Sequence, residues 1–186
     1  MTEARRVALP LSEKEAASLR AGQAVLLSGV VFTARDAAHQ RLARALQDGE
    51  PLPFNLEGQA LYYCGPAPTP PGRAVGSAGP TTSSRLDPFT PLLYSLGLRA
   101  TIGKGERDLA VRQACRKYGA LYLVAVGGAG ALLADCVTAA EVLAYPELGP
   151  EAIRRLVLRD LPVIVAYDSE GNSVFPGDEP LPPLSS

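Results

Sequence analysis

The chain has one histidine, one methionine, no tryptophan and three cysteines among its 186 residues. Cys64, Cys115 and Cys136 are odd in number and far apart, with no Cys-x-x-Cys pair and no clustered histidine. That spacing excludes a zinc or iron–sulfur site built by this chain alone, and it reads as reduced thiols packed in a core. Charge is almost balanced, at 18 Lys+Arg against 19 Asp+Glu, so the strongly basic face of a nucleic-acid binder is not expected. No apolar run follows the early arginines of MTEARRVALP, so this stretch does not read as a signal peptide. The longest nearly apolar run, Gly119 to Ala134, is glycine-rich and shorter than the ~20 residues of a membrane helix. A soluble, cytoplasmic protein is expected.

What is plentiful is apolar surface, at 47% hydrophobic residues, together with 18 glycines and 17 prolines. The length suits one domain, over residues 1–175, followed by a proline-rich tail at 176–186. Ser12 with Glu15 forms a capping-box signature for a short helix to about Arg20. Ala24 to Val31 reads as a buried strand. Arg35-Asp36 introduces a helix with Ala38, Leu42, Ala45 and Leu46 on one face. Further strands are predicted at Gln59 to Cys64, near Arg73 to Ser77, into Ile102, at Leu121 to Val126 and at Val157 to Ala166. A hairpin turn at 168–172 then leads to a returning strand at Ser173 to Phe175. Helices are predicted from Pro88 to Leu96, from Glu106 to Tyr118 with Leu109, Val111, Ala114 and Cys115 inward, beginning in the segment GGAGALLADCV (127–137), and from Pro150 to Leu156. Alternating strands and helices make an α/β domain, and the terminal hairpin argues for a mixed sheet.

The stretch from Gly76 to Gly105 is the richest in chemistry. After Gly79-Pro80 come Thr81, Thr82, Ser83 and Ser84, then Arg85 and Asp87, and Lys104 stands between two glycines. A hydroxyl-rich loop entering a helix beside a cation suits an anion site, and it equally suits an ordinary capped helix. Gly127-Gly128-Ala129-Gly130 lacks the last glycine of a dinucleotide fingerprint, where Leu133 stands, and reads better as close packing. Gly103-Lys104-Gly105 has Leu98 and Gly105 where a P-loop needs glycine and Ser/Thr. Arg35 and His39 share a helix face beside Asp36. They form either a solvated helix start or a carboxylate-binding arginine held by Asp36 or His39. Arg35, Arg85 and Lys104 all follow predicted strands or open helices, where open α/β sheets bind ligands, and several cations there suggest a substrate with more than one carboxylate.

ARDAAH (34–39), YYCGP (62–66), GSAGPTTSSRLD (76–87), IGKG (102–105), YLVAVGGAGALL (122–133) and DSEGN (168–172) occur in this order. In these motifs the chain resembles the β subunit, or C-terminal domain, of class I iron–sulfur hydro-lyases, the fumarases and L(+)-tartrate dehydratases. The resemblance implies a swivelling β/β/α domain with a mixed sheet and flanking helices. It implies an α partner that carries a [4Fe–4S] cluster, a heterotetramer of two α and two β, and a site between the subunits for fumarate/malate or tartrate. It assigns carboxylate binding to Arg35, Arg85 and Lys104, and C3 proton transfer to Thr81. Thr82, Ser83 and Ser84 would add substrate contacts. His39 would be a second acid–base group or an orienter of the Arg35 loop, and Asp36 and Asp87 would orient the arginines. A non-catalytic binding or regulatory module that kept the fold is the reading from another class.

Overall fold

A computed structural model describes residues 3–125 and 128–183. Five strands run parallel: β1 (Arg5–Leu9), β2 (Ala24–Thr33), β3 (Ala60–Tyr62), β4 (Ala100–Gly103) and β5 (Leu121–Ala125). β6 (Val137–Ala144) and the 15-residue β7 (Ile153–Tyr167) run antiparallel to their neighbours. β2 pairs with β1 through Val25 to Gly29 and with β3 through Phe32 and Thr33, leaving its other edge to β7. β7 in turn reaches β5, so β2–β3–β4–β5–β7 closes back on β2. Closure leaves no free edge within that ring.

The helices are α1 (Glu13–Ser18), α2 (Asp36–Gln47), α3 (Thr90–Ser95), α4 (Leu109–Tyr118) and α5 (Gly130–Asp135). Two apolar clusters follow from strand alternation. Ala60, Tyr62, Ile102, Leu121, Leu123 and Val163 belong to one, which Leu19 and, from α5, Leu133 also join. Leu61, Tyr63, Tyr122 and Tyr167 face the other way and pack under α2, α3 and α4, against Leu42, Tyr94 and Cys115. Ser12 caps α1 by accepting from Glu15 N at 3.1 Å, as the sequence indicates.

Five expectations are corrected: the returning strand at 173–175 is only a single bridge, Ser173 to Tyr167, and four more follow. No strand forms at 73–77: the prolines hold this segment as a loop, closed by Ala67 N to Ser77 O at 2.9 Å. Pro150 to Leu156 is not a helix. Gly149 turns the chain at φ 58°, a 3₁₀ turn spans Pro146–Glu151, and β7 begins at Ile153. The i, i+3 spacing of Ile153 and Leu156 mimics a helix, but pairing to β2 and β6 overrides it. Leu109 is 57% exposed, and the buried fourth position of α4 is Arg112, which donates to Gly171 O and Glu179 O at 2.7 Å each. The α4 start lies at its Asp108 cap, later than Glu106. β1 and β6 were not evident, because two arginines open one and three alanines interrupt the other, and each is a strand only by pairing, β1 with β2 and β6 with the next strand, β7. Val126, Gly127 and residues 184–186 lie outside the described residues.

Candidate functional site

β2, β3, β4 and β5 are parallel, so their carboxyl ends share one edge of the sheet, where ligands bind in folds of this kind. Arg35 follows β2, Tyr63 to Gly65 follow β3, and Lys104 follows β4. The hydroxyl-rich segment joins this edge through its backbone. Thr81 N donates to Tyr63 O at 2.7 Å, Thr82 bridges to Lys104, and Ser83 N donates to Lys104 O at 3.1 Å. The PTTSSR and IGKG motifs, far apart in sequence, are therefore stitched together.

Ser83 is the rivet. It is buried, its Oγ accepts from Lys104 N at 3.1 Å, and the Tyr122 hydroxyl bonds both Ser83 Oγ at 3.0 Å and Gly105 O at 2.7 Å. A Cβ on Gly103 would stand 1.8 Å from Ser83 Oγ, which explains the glycine before Lys104. Thr81 is half-buried, while Thr82 and Ser84 are exposed. The sequence motif thus splits: Ser83 is inward and structural, and the other three hydroxyls remain available at the edge. The 3₁₀ turn Ser83–Leu86 then carries Arg85 outward.

Arg85 forks onto Asp36, Nε to Oδ1 at 2.9 Å and Nη2 to Oδ2 at 3.2 Å. That hydrogen-bonded guanidinium holds the Asp36 carboxyl below its usual range. Arg35 lies across Gly65, where an added Cβ would come within 2.9 Å of its Cδ and 3.1 Å of Pro150 O. Glu151 Oε1 is 3.8 Å from Arg35 Nε. Lys104 makes no ion pair among the described residues. Arg35, Asp36 and Arg85 are one cluster, and Lys104 joins the same edge through Thr82 and Ser83.

His39 is fully buried. Its Nδ1 lies 2.8 Å from Arg35 O, and its ring packs edge-on against Tyr63 and tilted on Phe89. Burial pushes its pKa down to about 4, so the imidazole is neutral at pH 7 and braces the backbone of Arg35. Asp87 is also buried, but its partner is Arg107: it bonds Arg107 Nε and accepts from Asp108 N at 2.8 Å. Arg107 donates to Thr90 Oγ1 at 2.7 Å and stacks against the rings of Tyr63 and Tyr122. Arg107 and Glu151 escaped the sequence reading. A buried arginine has the same letter as a solvated one, although Asp87 ends one quoted motif and Arg107 stands two residues past another.

Among the described residues no three His, Cys, Asp or Glu side chains stand close enough to hold a metal ion. Burial raises the Cys64 and Cys115 thiols to about 12, so neither presents a ready thiolate ligand. Among the described residues, then, the donor set does not offer an iron–sulfur cluster three converging ligands. Gly130 packs closely on the motif loop: Ala78 N donates to Gly130 O at 3.0 Å and Gly79 rests on Gly130, fixing the entry to Thr81.

The model of the fumarase C-terminus matches residues 1–177. The chain belongs to this family. It is 41% identical over 156 residues to fumarate hydratase 2 of Leishmania major, covering 83% of this chain and 28% of that protein. Against the aerobic class I fumarate hydratase of Escherichia coli K12 it is 40% identical over 151 residues, with 80% and 28% covered. A Methanocaldococcus jannaschii protein named "Putative L(+)-tartrate dehydratase subunit beta" is 37% identical over 171 residues, with 89% and 88% covered. The chain thus spans little more than a quarter of these fumarate hydratases and nearly all of the archaeal subunit. As a member of the fumarase C-terminus family it has a mixed α/β fold, and no helix of the described residues is long and apolar enough to cross a membrane.

Proposed function

We propose that this chain is the β component of a class I fumarate hydratase, adding water across fumarate to give malate in complex with an α component. The observation that carries the reading is the convergence of Arg35, Arg85 and Lys104 at one carboxyl edge, with Lys104 free of acidic partners among the described residues. A four-carbon dicarboxylate needs at least two cationic contacts, and guanidinium forks match carboxylates bidentately. Arg35 and Arg85 hold the carboxylates; Lys104, a point charge, offsets the negative charge that develops as the C3 proton moves. Thr81 Oγ1 exchanges that proton. A threonine hydroxyl is a poor base, so it works in relay with a more basic group or with the cations favouring its alkoxide. His39, neutral and turned to Arg35 O, acts as a brace and not as an acid–base group.

A [4Fe–4S] cluster held by the α component supplies Lewis-acid chemistry at the hydroxyl being added or removed. Individual apolar side chains left exposed are compatible with such a partner. Leu132 on α5 is 71% exposed, and Val142 stands in the wall of a 380 Å³ cleft with Pro66, Pro150 and Arg154. A tartrate dehydratase is the second reading, favoured by the near full-length match to the archaeal subunit. The test is anaerobic reconstitution with a cluster-bearing α component, assayed on fumarate, malate and L(+)-tartrate. Turnover of fumarate and malate by the complex, and none by this chain alone, is expected. Turnover of tartrate alone would select the second reading, and turnover by the isolated chain would refute both.

A further inference from the structure

The two arginines of the cluster are held unequally. Arg85 gives its Nε edge to both oxygens of Asp36, leaving its other terminal nitrogen outside that fork. Arg35 turns the same edge toward Glu151, but at 3.8 Å the contact is an ion pair without a hydrogen bond, and Arg35 Nε is buried with no partner. A buried guanidinium N–H left unpaired is costly, and no solute can reach this one. Among the described residues, Glu151 is the carboxylate that lies within 4 Å of it.

The surroundings hold Glu151 in that position. Arg154 Nη2 donates to Gly149 O at 3.0 Å and its Nη1 to Pro150 O at 3.1 Å and Ala152 O at 3.3 Å, clamping the backbone on both sides of residue 151. Arg41 pairs with Glu147 at 2.8 Å and ties the same turn to α2, the helix that Arg35 opens. Pro150 O in turn abuts Gly65, over which Arg35 runs.

We propose that Glu151 is a positioning residue: it takes the Nε edge of Arg35 and so presents the terminal nitrogens of Arg35 to a substrate carboxylate, as Asp36 does for Arg85. The inference rests on the carboxylate-binding role proposed for Arg35. A charge-assisted hydrogen bond of about 2.8 Å would close the 3.8 Å gap by about 1 Å. The negative charge of Glu151 is a cost to binding an anion, so orientation and charge make opposite predictions.

The experiment uses the reconstituted complex with Glu151→Leu, Glu151→Gln and Glu151→Asp. Glu151→Leu removes the acceptor and should raise KM for malate about tenfold with kcat nearly kept. Glu151→Gln keeps an oxygen for Arg35 Nε and should return KM to within about twofold of wild type. Glu151→Asp keeps the charge but withdraws the oxygen, and should resemble the leucine variant, which covers the case in which leucine disturbs folding. A KM that falls or stays unchanged in Glu151→Leu overturns the proposal, as does a glutamine variant as weak as leucine. If the wild-type complex shows no turnover, the functional reading fails first, and the arginine Nε–H resonances of this chain alone decide the inference. The Arg35 Nε–H signal should be protected from exchange in wild type and Glu151→Gln, and exposed in Glu151→Leu. Equal exchange in all three overturns it.

Discussion

Replacing Ser83 by alanine removes the atom that joins the two cation-bearing segments. Ser83 Oγ accepts from Lys104 N at 3.1 Å and bonds the Tyr122 hydroxyl at 3.0 Å in a buried setting. The Tyr122 hydroxyl keeps Gly105 O, and Ser83 N keeps Lys104 O, so the loss falls on Lys104 N, left without an acceptor. An unsatisfied buried donor costs about 1–3 kcal/mol; Lys104 N is only part-buried and one backbone bond between the segments survives, so we expect about 1 kcal/mol. Urea denaturation of Ser83→Ala, Tyr122→Phe and the double variant measures both this cost and the coupling, which should be about 1 kcal/mol. Ser84→Ala, at an exposed neighbour, should change stability by less than about 0.5 kcal/mol. A Ser83→Ala variant as stable as wild type, or strictly additive losses in the double variant, would refute the view that Ser83 links the motifs.

Three further outcomes are expected. His39 has a folded pKa of about 4, below its ordinary ~6.5, so the unfolded chain binds the extra proton between those values and stability falls as pH drops from 6.5 toward 4. Unfolding free energies of wild type and His39→Phe across that window should show the slope only in wild type. Asp36 is held below the usual carboxylate range, so its pairing stabilises above pH ~3.9 and is lost as pH falls through the lowered value. The stability difference between wild type and Asp36→Asn, partly screened by solvent, should therefore vanish in strong acid. Gly65→Ala would bring a methyl group within 2.9 Å of Arg35 Cδ and against the backbone of Pro150, and should raise KM of the complex more than it lowers Tm.

The long motifs made the carboxyl edge legible, because Arg35 and Lys104 each follow a strand and parallel strands end together, while Arg85 reaches the edge on the 3₁₀ turn that Ser83 pins to Lys104. The buried runs of β2 and β5 were equally plain. What stayed hidden was set by pairing partners outside each segment. β6 is alanine-rich and exposed, and only its register with β7 makes it a strand. Ile153 to Leu156 carries a helical spacing that β2 overrides, and that error concealed Glu151 at the mouth of the site. Of four consecutive hydroxyls, the sequence did not say which one turns inward. That choice depends on Tyr122, 39 residues away.

The most direct measurement is kcat for fumarate hydration by the anaerobically assembled complex, wild type against Lys104→Met. A kcat lowered by at least about a hundredfold, as for loss of a group acting on developing charge, is the predicted result. An unchanged kcat with only a raised KM would contradict the claim that the cation edge of this chain takes part in the chemical step.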